Sequence, residues 1–239
     1  MAERSVKETE SESYKQMTQI LGPEGVVMLE KQLNHLFDLN GRDLTSPLRN
    51  AFKRGDTTLP AGTLLHGVCR RGYDATVLSG IAENGIISGE LVGVVEDAET
   101  HGCADFFRVV EDMSLADYLA ESKEPLIVGA LRMQKGERML TKGVALIVDT
   151  QTEGVSELLE NDGYRNTEMS EFVSLPSTRT ADNTSAILGG IPRGAIAGIV
   201  VQEKLLRRTD AAQVIAENFP GVPVFDEAGS PLQDFYKSA

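Results

Sequence analysis

From Pro60 onward, short apolar runs and short helical stretches follow one another without a regular βαβ alternation, and this irregularity constrains the fold more than any other feature. A doubly wound parallel sheet needs a crossover helix between successive strands. Here the strand patterns cluster: TLLHGV at 63–68, then 89–95, 103–110, 126–133, 143–148, 171–175 and 196–202. Helical spacing predicts helices over 73–84, stopped by Gly85, and over 114–122, 155–161 and 211–218. No GxGxxG or GxxxxGK[ST] segment opens a helix after a strand, so neither a Rossmann nor a P-loop nucleotide site is supported. The class expected is α+β.

The amino-terminal part reads differently. Residues 1–13 are polar and acidic, a frayed tail leading into a helix around Tyr14–Leu21. From Pro23 to Leu39 the residues Val26, Val27, Met28, Leu29, Leu33, Leu36 and Phe37 recur at helical spacing, with Pro23 at a helix start. A second helix is expected over Pro47–Lys53, ended by Gly55. We therefore divide the chain into a helical extension, 1–55, and an α+β domain, 56–239. Its 239 residues, 41% of them hydrophobic, suffice for a full core.

Several classes are disfavoured. The longest apolar stretches, such as Ala195–Val201, fall far short of the roughly 20 residues of a membrane helix, and the start of the chain carries no apolar signal core. The expected location is the cytoplasm, or export by a route without a classical signal. Cys69 and Cys103 are too few for a disulfide framework and lack zinc-site spacing; they read as buried thiols, and no metal is expected. A net charge of −13 repels polyphosphates at long range, which disfavours nucleic acid as a partner. His35 reads as a surface or packed side chain. Gly189–Gly194 reads as a turn before a strand, and the segment 219–224 with Asp226 and Gly229 as an extended edge and turn.

Three segments could carry chemistry. Leu64-Leu65-His66-Gly67 puts an imidazole at the end of a buried strand, beside a glycine whose backbone a ligand can approach. Alone, the pair reads first as a strand-end histidine satisfied by a backbone partner. Ala104-Asp105-Phe106-Phe107-Arg108 offers aromatic rings, of which neighbours in a strand face opposite ways, and Tyr118 follows on a helix. Ser170-Glu171-Phe172-Val173 sets a carboxylate at a strand start, where it is either solvated or turned to a cleft.

Together these segments resemble the poly(ADP-ribose) polymerase branch of the ADP-ribosyltransferases, over roughly 63–202. That branch carries "LLWHGS" before a helix of the "ILxxGL" kind; LLHGV and then VLSGIAENGI stand here. CADFFRV takes the place of the family's "GxYFAD", and Ser170-Glu171-Phe172-Val173 that of "NEYIVY". The resemblance implies an ADP-ribosyltransferase-like split antiparallel or mixed sheet that binds NAD as substrate without a metal. His66 would hydrogen-bond a ribose hydroxyl, and Gly67 would hold the nicotinamide amide through its backbone. Tyr118 would stack on the nicotinamide ring, with Phe106 or Phe107 lining the site. Glu171 would position the ribose and stabilise an oxocarbenium-like state. Arg70 and Arg71 follow the His-Gly pair and could neutralise the pyrophosphate.

One departure matters: Phe106 or Phe107 stands where the family's triad has tyrosine, and phenylalanine stacks but donates no hydrogen bond. The implied activity is ADP-ribose transfer to a macromolecule, a protein acceptor above all, or NAD hydrolysis. The alternative is a catalytically inactive NAD- or ADP-ribose-binding or protein-interaction domain of the same fold. Ser177-Thr178-Arg179 invites the Arg-Ser-Glu branch instead, but that branch needs a Gln-x-Glu or Glu-x-Glu pair, and Glu168 to Glu171 has the wrong spacing.

Overall fold

The computed structural model describes residues 23–24, 27, 30–68, 75–87, 106–109, 112–121, 143–160, 184–186, 190–208 and 210–238. Strand β6 (Val144–Val148) explains most of the architecture. Its five consecutive apolar residues are all buried, and successive side chains of a strand point to opposite faces. Such a strand has to lie inside a sheet covered on both sides. It does: β6 is flanked by β2 (Leu64–Val68) and β9 (Ile196–Val201), each also buried throughout.

The resulting sheet has six strands in the order β10-β9-β6-β2-β4-β7, adding β4 (Phe106–Val109), β7 (Thr184–Ala186) and β10 (Val224–Phe225). All pairings are antiparallel except β10 with β9. A parallel pair needs a crossover, supplied here by α6 (Glu203–Arg208) and α7 (Ala211–Asn218). Two small antiparallel ladders complete the strands: β1 (Thr58–Leu59) with β5 (Met113–Ser114), and β3 (Ile86–Ile87) with β8 (Gly190–Ile191). The chain is thus mixed α and β with several sheets, and no closed barrel forms among the described residues.

Side-chain alternation sorts the core into two layers. On one face Leu64, Val68, Leu146 and Ile199 meet Val77, Leu78 and Ile81 of α3 (Ala75–Asn84) and Ala211 and Ile215 of α7. On the other, Leu65, Ala145, Ile147 and Val200 meet Leu48 and Phe52 of α2 (Pro47–Lys53) and Leu115 and Leu119 of α4 (Leu115–Glu121). Near Ala197 the register slips between Ile147↔Gly198 and Val148↔Ile196, a bulge in β9. The glycine there serves packing. A Cβ on Gly198 would meet Phe52 at 3.0 Å and Phe225 at 3.1 Å, the two rings that stack edge-on at 5.0 Å.

Helix α2 contributes Leu48 and Phe52 to the second of these layers. Helix α1 (30–40) buries Leu33, Leu36 and Leu39 completely. Helix α2 is tied to the end of β6 by Asp149, whose carboxylate accepts from Ser46 Oγ at 2.7 Å and from Leu48 N at 2.9 Å. Arg49 reaches the other way, donating from Nε to the Ile196 carbonyl at 3.1 Å and from Nη2 to that of Gly194 at 2.8 Å. Burial pulls the Arg49 guanidinium below its usual pKa, and the negative charge of Asp149 works against that loss. These bonds form a clamp that ties α2 to the end of β6 on one side and to the start of β9 on the other. Helix α5 (Val155–Glu160) adds a weaker contact, His35 Nε2 to Glu157 Oε2 at 3.4 Å.

At the other end of the chain, α8 (Phe235–Ser238) is anchored by Tyr236. Its ring is 39% exposed, but the hydroxyl turns inward to the carbonyls of Phe219, at 2.7 Å, and Val222. Burial pushes that phenol up to about 12. The turn predicted at Asp226 and Gly229 is present: the Asp226 carboxylate accepts from Ala228 N and Ser230 N, and Gly229 has φ +78°. Among the described residues no helix is long and apolar enough to cross a membrane.

Truncating Phe52→Ala removes a buried ring and is expected to cost about 3–5 kcal/mol in urea denaturation. Gly198→Val overpacks the same spot and is expected to cost about 1–3 kcal/mol. Because the two positions touch, Gly198→Val should cost measurably less in the Phe52→Ala background; strict additivity would contradict the packing described.

Candidate functional site

The sequence places His66 at a strand end, but β2 runs Leu64–Val68, which puts it in the middle of the strand. Its register partner is Leu146, which pairs onward with Ile199 and then Val224. His66 is 1% exposed and shares the face of Leu64 and Val68, the face covered by α3.

Gly67, one residue on, is the more informative position. In an antiparallel sheet the backbone groups of a central strand alternate, one residue bonding to the left neighbour and the next to the right. Gln202 N donates to the Gly143 carbonyl at 2.8 Å, and Asp149 N to that of Ala195 at 2.8 Å. Odd-numbered residues of β6 therefore bond to β9, and the even-numbered ones, Val144, Leu146 and Val148, bond to β2. Through the register, Leu64, His66 and Val68 give their N–H and C=O to β6. Leu65 and Gly67 turn theirs toward β4.

Among the described residues, β4 meets the first of these two. Its pairing with β2 consists of Leu64↔Val109 and Leu65↔Arg108 and stops there. Phe107 and Phe106 continue along β7, opposite Ser185 and Ala186. The sheet thus forks beyond Leu65, and the N–H and C=O of Gly67 face the fork without a ladder partner among the described residues. A buried peptide group of this kind calls for a ligand, a side chain or a water. The lack of a side chain lets a ligand come close to that backbone.

The remaining predicted residues fall into two sets. Phe106 and Phe107 are placed on the β4 side of the fork by their backbone. Tyr118 is half-buried on α4 and packs with Met113 against the layer of Leu65, Ala145 and Ile147. That is the sheet face opposite His66, so the structure does not bring Tyr118 and the His66 imidazole together. Arg70, Arg71 and Glu171 lie outside the described residues, as do Cys69, Cys103 and the Ser177–Arg179 segment. Among the described residues no cluster of three His, Cys, Asp or Glu side chains is arranged to hold a metal ion.

Sequence reasoning found the His-Gly pair but not the fork beside it. Nothing in LLHGV or DFFRV announces where two paired strands part, because parting is a property of register. The clamp was half visible: Ser46-Pro47 is a helix-start signature, whereas its partner Asp149 merely ends an apolar run.

If the fork is as described, native-state amide exchange should be uneven along β2. The Gly67 amide is expected to exchange at least about tenfold faster than those of His66 and Val68, which are bonded to β6. Equal protection at the three positions would contradict the fork. No protein-family model, characterised protein or solved structure matches the chain.

Proposed function

We propose that the chain is an ADP-ribosyltransferase-like protein, a split mixed sheet that takes NAD into the fork between β2 and β4. The observation that carries this reading is the orientation of Gly67, whose N–H and C=O both face the fork. A primary carboxamide such as that of nicotinamide offers the complementary acceptor and donors, so one amide can close two hydrogen bonds on one strand edge. Gly67 carries no Cβ that would stand between its peptide group and a ring. The phenylalanines at 106 and 107 stand on the strand across the fork, where an aromatic residue can face a heterocycle.

The chemistry requires little beyond positioning. The bond from the anomeric carbon to the nicotinamide nitrogen breaks, and its electron pair leaves with the neutral ring. An acceptor nucleophile or water then bonds to the anomeric carbon and gives up its proton. Glu171 is assigned the stabilisation of the cationic carbon, Arg70 the pyrophosphate charge and His66 a ribose hydroxyl. A protein acceptor suits the net charge of −13 better than a nucleic acid does.

A second reading, recognition of NAD or ADP-ribose without cleavage, is favoured by two placements. Tyr118 packs on the sheet face opposite His66, and phenylalanine holds both positions at which the triad's tyrosine is expected. Nicotinamide release from NAD, measured beside folded Glu171→Gln and His66→Ala variants, separates the readings. Release that falls at least about a hundredfold in Glu171→Gln is the outcome expected of the enzyme. No release, with a melting temperature that still rises with NAD, identifies the binder. Neither release nor a thermal shift overturns both.

A further inference from the structure

The sequence contains two Asn-Gly dipeptides, Asn40-Gly41 and Asn84-Gly85, forty-four residues apart, and the fold brings them into contact. Each ends a helix, Asn40 closing α1 and Asn84 closing α3. The Asn40 Nδ2 donates to the Asn84 carbonyl at 2.5 Å, and its Oδ1 accepts from Arg193 N at 2.8 Å. Gly41 N donates to the carbonyls of Phe37 and Asp38, both at 3.1 Å. On the other helix, Asn84 Nδ2 donates to the Gly80 carbonyl at 3.3 Å and Gly85 N to that of Ile81 at 2.8 Å. The asparagines are 8% and 0% exposed.

Asn-Gly is the dipeptide most open to intramolecular deamidation, because the glycine nitrogen is unhindered. That nitrogen attacks the asparagine Cγ, closing a succinimide and expelling the side-chain nitrogen as ammonia. Water then opens the ring at either carbonyl, leaving aspartate or isoaspartate. The attack needs a side chain free to rotate onto the following nitrogen, and that nitrogen released from its own hydrogen bond. In this fold both requirements are blocked at both dipeptides by the bonds above.

We infer that Asn40-Gly41 forms a modification site whose deamidation is gated by the docking of α1 against the end of α3 together with the closure of the last turn of α1. While the helices are docked, the Asn40 amide is held by Asn84 and Arg193, whereas that of Asn84 is held within α3 by Gly80. When α1 comes away and its last turn opens, Asn40 loses Asn84 and Arg193, Gly41 N leaves the Phe37 and Asp38 carbonyls, and the dipeptide becomes reactive. The change is one-way. Aspartate at position 40 sets a carboxylate oxygen where Nδ2 donated to the Asn84 carbonyl, so two acceptors face each other and redocking is opposed.

The full chain is incubated at mildly alkaline pH, once native and once unfolded in urea. The peptides carrying Asn40 and Asn84 are followed by mass spectrometry, with isoaspartate detected separately. Conversion in the native protein is expected to be at least about tenfold slower at both positions, the protection that local opening allows. Gly41→Ala asks the Asp38 carbonyl, 3.3 Å from the added Cβ, to shift slightly, and in the unfolded chain, where that contact is gone, it slows conversion by hindering ring closure. Asn40→Asp lowers the melting temperature. Native conversion as fast as in urea overturns the gating, and an unchanged melting temperature in Asn40→Asp overturns its one-way character.

Discussion

Everything in this molecule is arranged around the burial of β6 on both faces. Val144–Val148 has no polar face to give to water, so it demands a strand on each side and a layer above and below. β2 and β9 satisfy the first demand, and α3 with α7 on one face and α2 with α4 on the other satisfy the second. A buried Val, Leu or Ile side chain is worth about 1.5–3 kcal/mol, and four of the five residues of β6 are of these kinds, with Ala145 the fifth. The Asp149 and Arg49 clamp then follows from position. It sits at the carboxyl end of β6, where the strand leaves the apolar layers and backbone groups of the next turn need partners.

The same ladder determines what the fork can do. Because β6 takes the backbone groups of Leu64, His66 and Val68, those of Leu65 and Gly67 have to face the other way. Among the described residues Leu65 finds β4 and Gly67 finds no ladder partner. The candidate site is thus a consequence of strand parity together with one early parting of two strands. Parity also sends the His66 side chain into the α3 layer and leaves Tyr118 on the opposite one.

Local chemistry made much of this legible in the sequence. Pro47–Lys53 and Ala211–Asn218 stand where helical spacing put them, and Gly85 ends α3 with a φ of +81°. The β6 and β9 runs were visible as unbroken apolar stretches. What the sequence did not carry was pairing. Two-residue strands such as Ile86–Ile87 are too short to show a period, and the bulge at Ala197–Gly198 looks like any other part of AIAGIVV. The place of His66 within its strand, the face it takes and the fork beside it are all set by register. The apolar face of α2, expected within the helical extension, is covered by a sheet layer through Leu48 and Phe52, a contact that its own periodicity does not reveal. Strands expected at 89–95, 126–133 and 171–175, with the helix at 14–21, lie outside the described residues.

The central claim is that the peptide group of Gly67 is the point at which this fold receives its ligand. Amide exchange at Gly67, followed with increasing NAD, tests it most directly. The account predicts that NAD slows Gly67 while leaving His66 and Val68, already bonded to β6, unchanged. An exchange rate at Gly67 that does not respond to NAD would contradict it.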